Sequence, residues 1–439
     1  MVNRARFRNT LFCTTAYKLY IVGIPKQVAF AVHTSAYRNR SALLRHAAAA
    51  VVFLCFVIPV SSFGQNKSTR NLKIAHTLSL PSVAVDADQA AERPFAYVVP
   101  VERDEVVVVS LETGKRLSAW SVPTDAGRVL DVTVAHSADR DIVVALLSSG
   151  LALVDVTDEA GAHLIRTVPD GEQSEKGSVF AYRHSTGSGI VAVARGGTIR
   201  LYDLDALLTG DAIGTALSTP EQLERGTSGF DTVFIEYHLP SAQDRLYGGG
   251  AGGYHVFDIT NPAAPGLLAS VNPATVGRGQ VAVPTPDGRY LVATAEYEWS
   301  PVQVYDLEPI FSGTTGTVRT SESAWTPNWK GFTRAIEVRW PLAFTASSGD
   351  GLQVFNLRDP ANLFTVGFVE SGTSGDAASG AFDLDFRNAD GRIVVADTKS
   401  GVWVVQLDEM QFWDGHGYGM PNNSSAQDWE GGPDMIGPE

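Results

Sequence analysis

The stretch Gly253-Tyr-His-Val-Phe-Asp258-Ile-Thr-Asn-Pro262 holds the pattern that decides the fold. A glycine turn opens it, bulky β-favouring residues follow, and an aspartate ends it where the carboxylate can take a backbone N–H of the next turn. The same phrase returns as Gly150-Leu-Ala-Leu-Val-Asp155-Val-Thr-Asp, Leu201-Tyr-Asp203-Leu-Asp, Val302-Gln-Val-Tyr-Asp306-Leu-Glu-Pro and Gly351-Leu-Gln-Val-Phe-Asn356-Leu-Arg-Asp-Pro. Val106-Val-Val-Val-Ser110-Leu-Glu and Gly401-Val-Trp-Val-Val-Gln406-Leu-Asp are weaker copies. With Ser110, Asp155, Asp203, Asp258, Asp306, Asn356 and Gln406 in register, the steps are 45, 48, 55, 48, 50 and 50 residues. Seven copies at that spacing indicate a repeat architecture, and the period suits one four-stranded blade of a β-propeller. The expected fold is all-β, a seven-bladed propeller of antiparallel blades, with six or eight blades as the competing counts.

Each period divides into four strands. Around Asp258 these are Phe230–Tyr237, Arg245–Gly249, Gly253–Ile259 and Gly266–Val271; in the next repeat Thr285-Pro-Asp-Gly288 separates the first two, a hairpin signal. No amphipathic helix is expected beyond one turn at Pro220–Arg225. The ends complete the count: Asn71–Leu80 reads as a strand with no blade of its own, and the last repeat stops at Leu407-Asp408 without an outer strand. The N-terminal strand is expected to supply it, closing the ring and covering a sheet edge.

Charge divides the chain. It carries a net charge of −14, but residues 1–64 hold eight basic residues and no acid, leaving 26 basic against 48 acidic, net −22, over 65–439. Such acidity argues against nucleic acid and anionic membranes as partners. The leader places Arg38, Arg40 and Arg45 before the fourteen-residue apolar run Ala47–Val60, and Ser62-Phe-Gly64 then offers small residues for signal-peptidase cleavage. Three segments are therefore expected: a leader (1–64), the propeller (65–409) and an irregular tail (410–439) lying on it through Phe412, Trp413 and Trp429. The expected address is extracytoplasmic, with no transmembrane segment in the processed chain. Both cysteines, Cys13 and Cys55, lie in the leader. A cleaved chain thus has no disulfide, thiolate metal site, Cys nucleophile or c-type haem attachment.

Leu151-Ala-Leu-Val-Asp155-Val, Gly253–Pro262 and Gly351–Pro360 resemble LVIVD repeats, which occur in exported bacterial β-propellers. The resemblance spans roughly residues 71–409, with the family's Asp replaced at Ser110, Asn356 and Gln406. It implies the fold and an address outside the cytoplasm; the family has no uniform reaction, so no catalytic residue carries over. Val106–Lys115 is similar to YVTN and quinoprotein-like propellers, a likeness of fold alone.

Long loops on a rigid scaffold are where binding is expected. The richest is Trp325-Thr-Pro-Asn-Trp329-Lys330-Gly-Phe332, with Glu296-Tyr-Glu298-Trp299 in the same blade and Asp350 in the corresponding turn of the next. Aromatic rings beside carboxylates and a cation suit stacking on a sugar or gripping a peptide side chain, although the plainer reading of Trp325 and Trp329 is that they pin a long loop to the ring. No cofactor is expected. Calcium is the alternative at Asp383-Leu-Asp385-Phe-Arg-Asn-Ala-Asp390-Gly, whose spacing departs from a calcium loop and reads better as a strand with Asp383 and Asp385 on one face. The leading function is a scaffold that binds a protein, peptide or glycan. The alternative is a metal-dependent hydrolase or quinone-dependent dehydrogenase at the channel mouth, drawing on Glu296, Glu298, Asp350, Asp383, Asp385 and Asp397.

Overall fold

Val106–Val109, Ile142–Leu147 and Ile393–Ala396 are apolar at successive positions rather than at alternate ones, the pattern of strands covered on both faces. A computed structural model of the protein describes residues 68–410, apart from 124–125, 138, 170–172, 211–213, 218–228, 251, 273–277, 296, 298, 328–330 and 372–378. In it these runs are middle strands of seven four-stranded antiparallel sheets and are almost wholly buried. Six sheets are simple meanders in chain order, spanning 82–121, 129–169, 177–217, 230–271, 279–325 and 333–369. Each innermost strand touches those of the blades before and after, and the seventh touches the first, so the sheets close into a ring. The molecule is a seven-bladed β-propeller.

The seventh blade is completed from the other end of the chain. Its inner three strands are Ala381–Arg387, Arg392–Asp397 and Gly401–Leu407, and the fourth is Leu72–Leu78, paired antiparallel from Leu72↔Leu407 to Leu78↔Val402. Just before it, Thr69 N–H donates to Phe368 O at 3.0 Å, Phe368 N–H donates to Thr69 Oγ1 at 3.0 Å, and Asn71 Nδ2 donates to Val366 O at 3.2 Å. The closing segment is thereby tied to blades six and seven.

The repeated aspartate does what its position requires. Asp155, Asp258, Asp306 and Asn356 each accept, through Oδ1, the N–H two residues on, at 2.9–3.0 Å. Asp203 differs: it caps a helix, Leu204–Thr209, by accepting Ala206 N–H at 2.8 Å, and Gly210 ends that helix with φ +97°. This helix and a shorter one at Glu308–Phe311 correct the expectation of an uninterrupted strand pattern. Leu204 and Leu207 bury against blades two and three, which stabilises a segment too short to be a stable helix alone. The turn expected at Pro220–Arg225, the leader (1–64) and the tail beyond Met410 lie outside the described residues. Among the described residues no helix is long and apolar enough to cross a membrane.

Candidate functional site

An innermost strand has a neighbour on one edge only; its other edge faces the axis and the next blade, leaving backbone N–H groups without ladder partners. The chain satisfies many of them from the preceding blade. By strand register one tier of side chains is Ala84, Asp131, Ser178, Thr232, Val281, Ala335 and Asp383. The tier two residues further along is Asp86, Thr133, Phe180, Phe234, Val283, Glu337 and Asp385. From the first tier, Asp383 accepts Val85 N–H at 2.9 Å, Asp131 accepts Val179 N–H at 2.9 Å and Ser178 accepts Val233 N–H at 3.0 Å. From the second, Asp385 accepts Ala87 N–H at 2.8 Å, Thr133 accepts Ala181 N–H at 3.1 Å, and Asp86 accepts Val134 N–H. Where the preceding blade has alanine in the first tier, the carboxylate serves its own strand too: Asp131 Oδ1 takes Val132 N–H and Asp383 Oδ1 takes Leu384 N–H, both at 2.9 Å.

These tiers wall an axial cavity of about 420 Å³, with Phe180, Phe234 and Val281 among its apolar lining. Burial sets the chemistry of its acids. It raises Asp131 and Glu337 to about 7 each. Burial and the Asp385 charge hold Asp86 well above the usual carboxylate range, and burial and the Asp131 charge do the same to Asp383.

The cavity's mouth is built by bulges. Six innermost strands shift register just after their first paired residue, and the residues inserted there include Val83, Leu130, Asp231, Arg334 and Phe382, all of which line the cavity. Arg334 stacks between Phe332 and Phe382, 4.9 and 4.3 Å from their centroids. Arg128 pairs with Glu175 and Arg278 with Asp231. Arg103 enters from the turn between the second and third strands of blade one, with φ +60°.

The proposed site residues separate on this frame. Trp299 lies on the turn between the second and third strands of blade five, 48% exposed, beside Tyr297 at 38%. Its backbone is left-handed (φ +56°), and its N–H donates to Gly331 O at 3.2 Å. Trp325 ends the outer strand of that blade, half-buried, its ring 5.1 Å from Phe355 of blade six. Asp350 is only 3% exposed. Glu296, Glu298, Trp329 and Lys330 lie outside the described residues. Asp383 and Asp385 do share one strand face and do line the cavity, but both hold backbone N–H groups. Asp390, third in the calcium reading, pairs with Arg387 and Arg392 instead. Asp397 is buried and its Oδ1 accepts the Lys399 and Ser400 N–H groups at 2.8 Å. Among the described residues no three His, Cys, Asp or Glu side chains are grouped as metal ligands. Sequence reasoning missed Asp86, Asp131 and Arg103. The aspartates left a trace, a polar residue at alternate places in an apolar inner strand; Arg103 left none.

A scan against protein-family models and a search of curated proteins each return no match for this chain.

Proposed function

We propose that the protein is an exported binding module whose ligand, a protein, peptide or glycan, docks at the mouth of the axial cavity. The observation that carries this reading is the division of labour around the axis. Asp86, Asp131, Asp383 and Asp385 are committed to backbone N–H groups, while the mouth carries a stacked Arg–Phe pair and a turn of the same face two exposed aromatics. Rigid blades with varied loops on one face suit recognition without chemistry. The acid-free leader and the LVIVD-like copies support export. One observation favours the enzyme reading: Asp131 and Glu337, at about 7, are poised for proton transfer near neutrality.

Peptide and glycan arrays probed with the purified protein test the reading. Capture should be lost with Trp299→Ala and kept with Phe364→Ser, a change on the outer strand of blade six. Capture lost with the outer-strand change alone, or turnover of a hydrolase or dehydrogenase substrate that Asp131→Asn abolishes, would overturn it. N-terminal sequencing of secreted material checks cleavage near Gly64.

A further inference from the structure

Accepting a backbone N–H from the next blade does not require a charge. Thr133 and Ser178 do it with hydroxyls, at 3.1 and 3.0 Å, where Asp86, Asp131, Asp383 and Asp385 do it with carboxyl groups. Asparagine would serve equally and would avoid crowding like charges around the axis. Two of the five acids in the tiers are answered by a cation: Arg339 Nη1 pairs with Glu337 Oε2 at 2.8 Å, and the Arg103 charge acts on Asp131. The other three, Asp86 of blade one with Asp383 and Asp385 of blade seven, pair with no cation among the described residues and act on one another. Burial, then the Asp385 charge, raises Asp86; burial, then the Asp131 and Asp385 charges, raises Asp383. Their other side-chain neighbours are neutral: Gln89 Nε2 donates to Asp385 Oδ2 at 3.4 Å, and the Thr133 hydroxyl bonds to Asp86. Lys176 and Arg334 line the cavity nearer its mouth, with Arg334 held between its two phenylalanine rings.

Blade order sets this charge against an apolar wall. Blades six, seven, one and two carry the acids, and blades three, four and five complete the ring with Phe180, Phe234, Val281 and Val283. The Phe180 and Phe234 rings stand 5.2 Å apart. The space between the two arcs, about 420 Å³, lies in the small-ligand range of about 300–1,000 Å³, enough for a long side chain and too small for a folded partner. What satisfies both arcs is a cation on an aliphatic stem, its methylenes against Phe and Val and its charge on the acids, with an aromatic face adding cation–π attraction. An ammonium suits the acids better than a guanidinium does. The free lone pairs are spread over three carboxyl groups of two strands, which three independently directed N–H donors can share, whereas a planar fork calls for two oxygens of one carboxylate. The net charge of −22 over residues 65–439 draws a cationic partner toward the ring.

Resting on the binding-module reading, we infer that the axial cavity takes a lysine side chain of a peptide or protein, its ammonium on Asp86, Asp383 and Asp385 and its stem against Phe180 and Phe234. Calorimetric titration of the intact protein with an end-blocked tri-lysine peptide, its Nε-acetylated form and 1,5-diaminopentane tests it. The tri-lysine peptide should bind, the acetylated form at least about tenfold more weakly, the loss expected of charge-assisted hydrogen bonds, and the diamine more weakly than the peptide. Asp86 and Asp383 keep their protons to higher pH than ordinary carboxyl groups, so an arriving ammonium displaces protons. Affinity should therefore rise from roughly pH 5 to 8, and heats measured at neutral pH in phosphate and in Tris should differ in the sense of proton release. Asp383→Asn keeps an acceptor for Val85 N–H and should bind tri-lysine at least about tenfold more weakly. Glu112→Gln, an exposed change on the turn between the third and fourth strands of blade one, should leave binding unaltered; melting curves show whether each variant is folded. If Asp383→Asn does not fold, proton release by the unaltered protein decides the matter. Equal binding of the acetylated peptide, equal losses in the two variants or binding without proton release would overturn the inference, and tighter binding of the diamine would reassign the cavity to a free amine. Array capture of a ligand without lysine would then leave the module reading standing; no captured ligand and no lysine binding would remove both.

Discussion

At Gly401 a left-handed φ of +99° coincides with a close approach: a Cβ there would stand 2.0 Å from Leu78 O of the closing strand. The same glycine opens other copies of the repeat, and at Gly253 the crowding atom is Val271 O, at 2.1 Å. Gly401→Ala should therefore cost on the order of 1–3 kcal/mol in denaturant unfolding, whereas Gly266→Ala, with nothing within 4 Å, should change stability by less than about 0.5 kcal/mol. Glu236 presents a different residue-scale problem. It is fully buried; Oε1 accepts the Tyr247 hydroxyl at 2.7 Å, Oε2 has no hydrogen-bond partner among the described residues, and burial raises its pKa to about 8. A carboxyl raised on folding stabilises below its unfolded pKa, and that contribution is lost as pH climbs through the folded value. The melting temperature should thus fall between pH 5 and 9, and Glu236→Gln should shrink that fall. A fall of equal size in the variant would reject Glu236 as its source.

At the scale of elements, the closing strand matters most, since without it the edge of Gly401–Leu407 is bare. A chain beginning at residue 80 should lose amide protection over Val402–Leu407 in hydrogen exchange and self-associate on gel filtration. Full protection of those amides in a monomeric truncated chain would show the strand to be dispensable. This strand was legible because an orphan apolar run at one end matched a missing strand at the other. The helix Leu204–Thr209 was less so, although Asp203 and Gly210 are ordinary start and stop signals. Six residues show little periodicity, and Asp203 also fitted the repeat; burial of Leu204 and Leu207 decided between the two.

For the whole molecule, the interblade hydrogen bonds of the two tiers join blade seven to one, one to two, two to three and three to four. Thr133→Val keeps the shape of a side chain 3% exposed but leaves Ala181 N–H without its acceptor, so unfolding stability should drop by about 1–3 kcal/mol. A loss within error would mean that water in the channel replaces the bond. Asp131 and Glu337, both near 7, add to the decline in stability as pH rises from about 4 through neutrality. From sequence alone came the blade, the number of blades and the closure, because each depends on residues within one period or at the chain ends and repeats often enough to survive degenerate copies. The aromatic loop of blade five was legible as a candidate, but only packing separated Trp325, set against Phe355, from Trp299, left to solvent. What surrounds the axis was decided by tertiary structure. Its wall takes a few residues from each of seven strands some fifty positions apart, and strand register, bulges and burial determine which of their charges hold the ring together and which face a ligand.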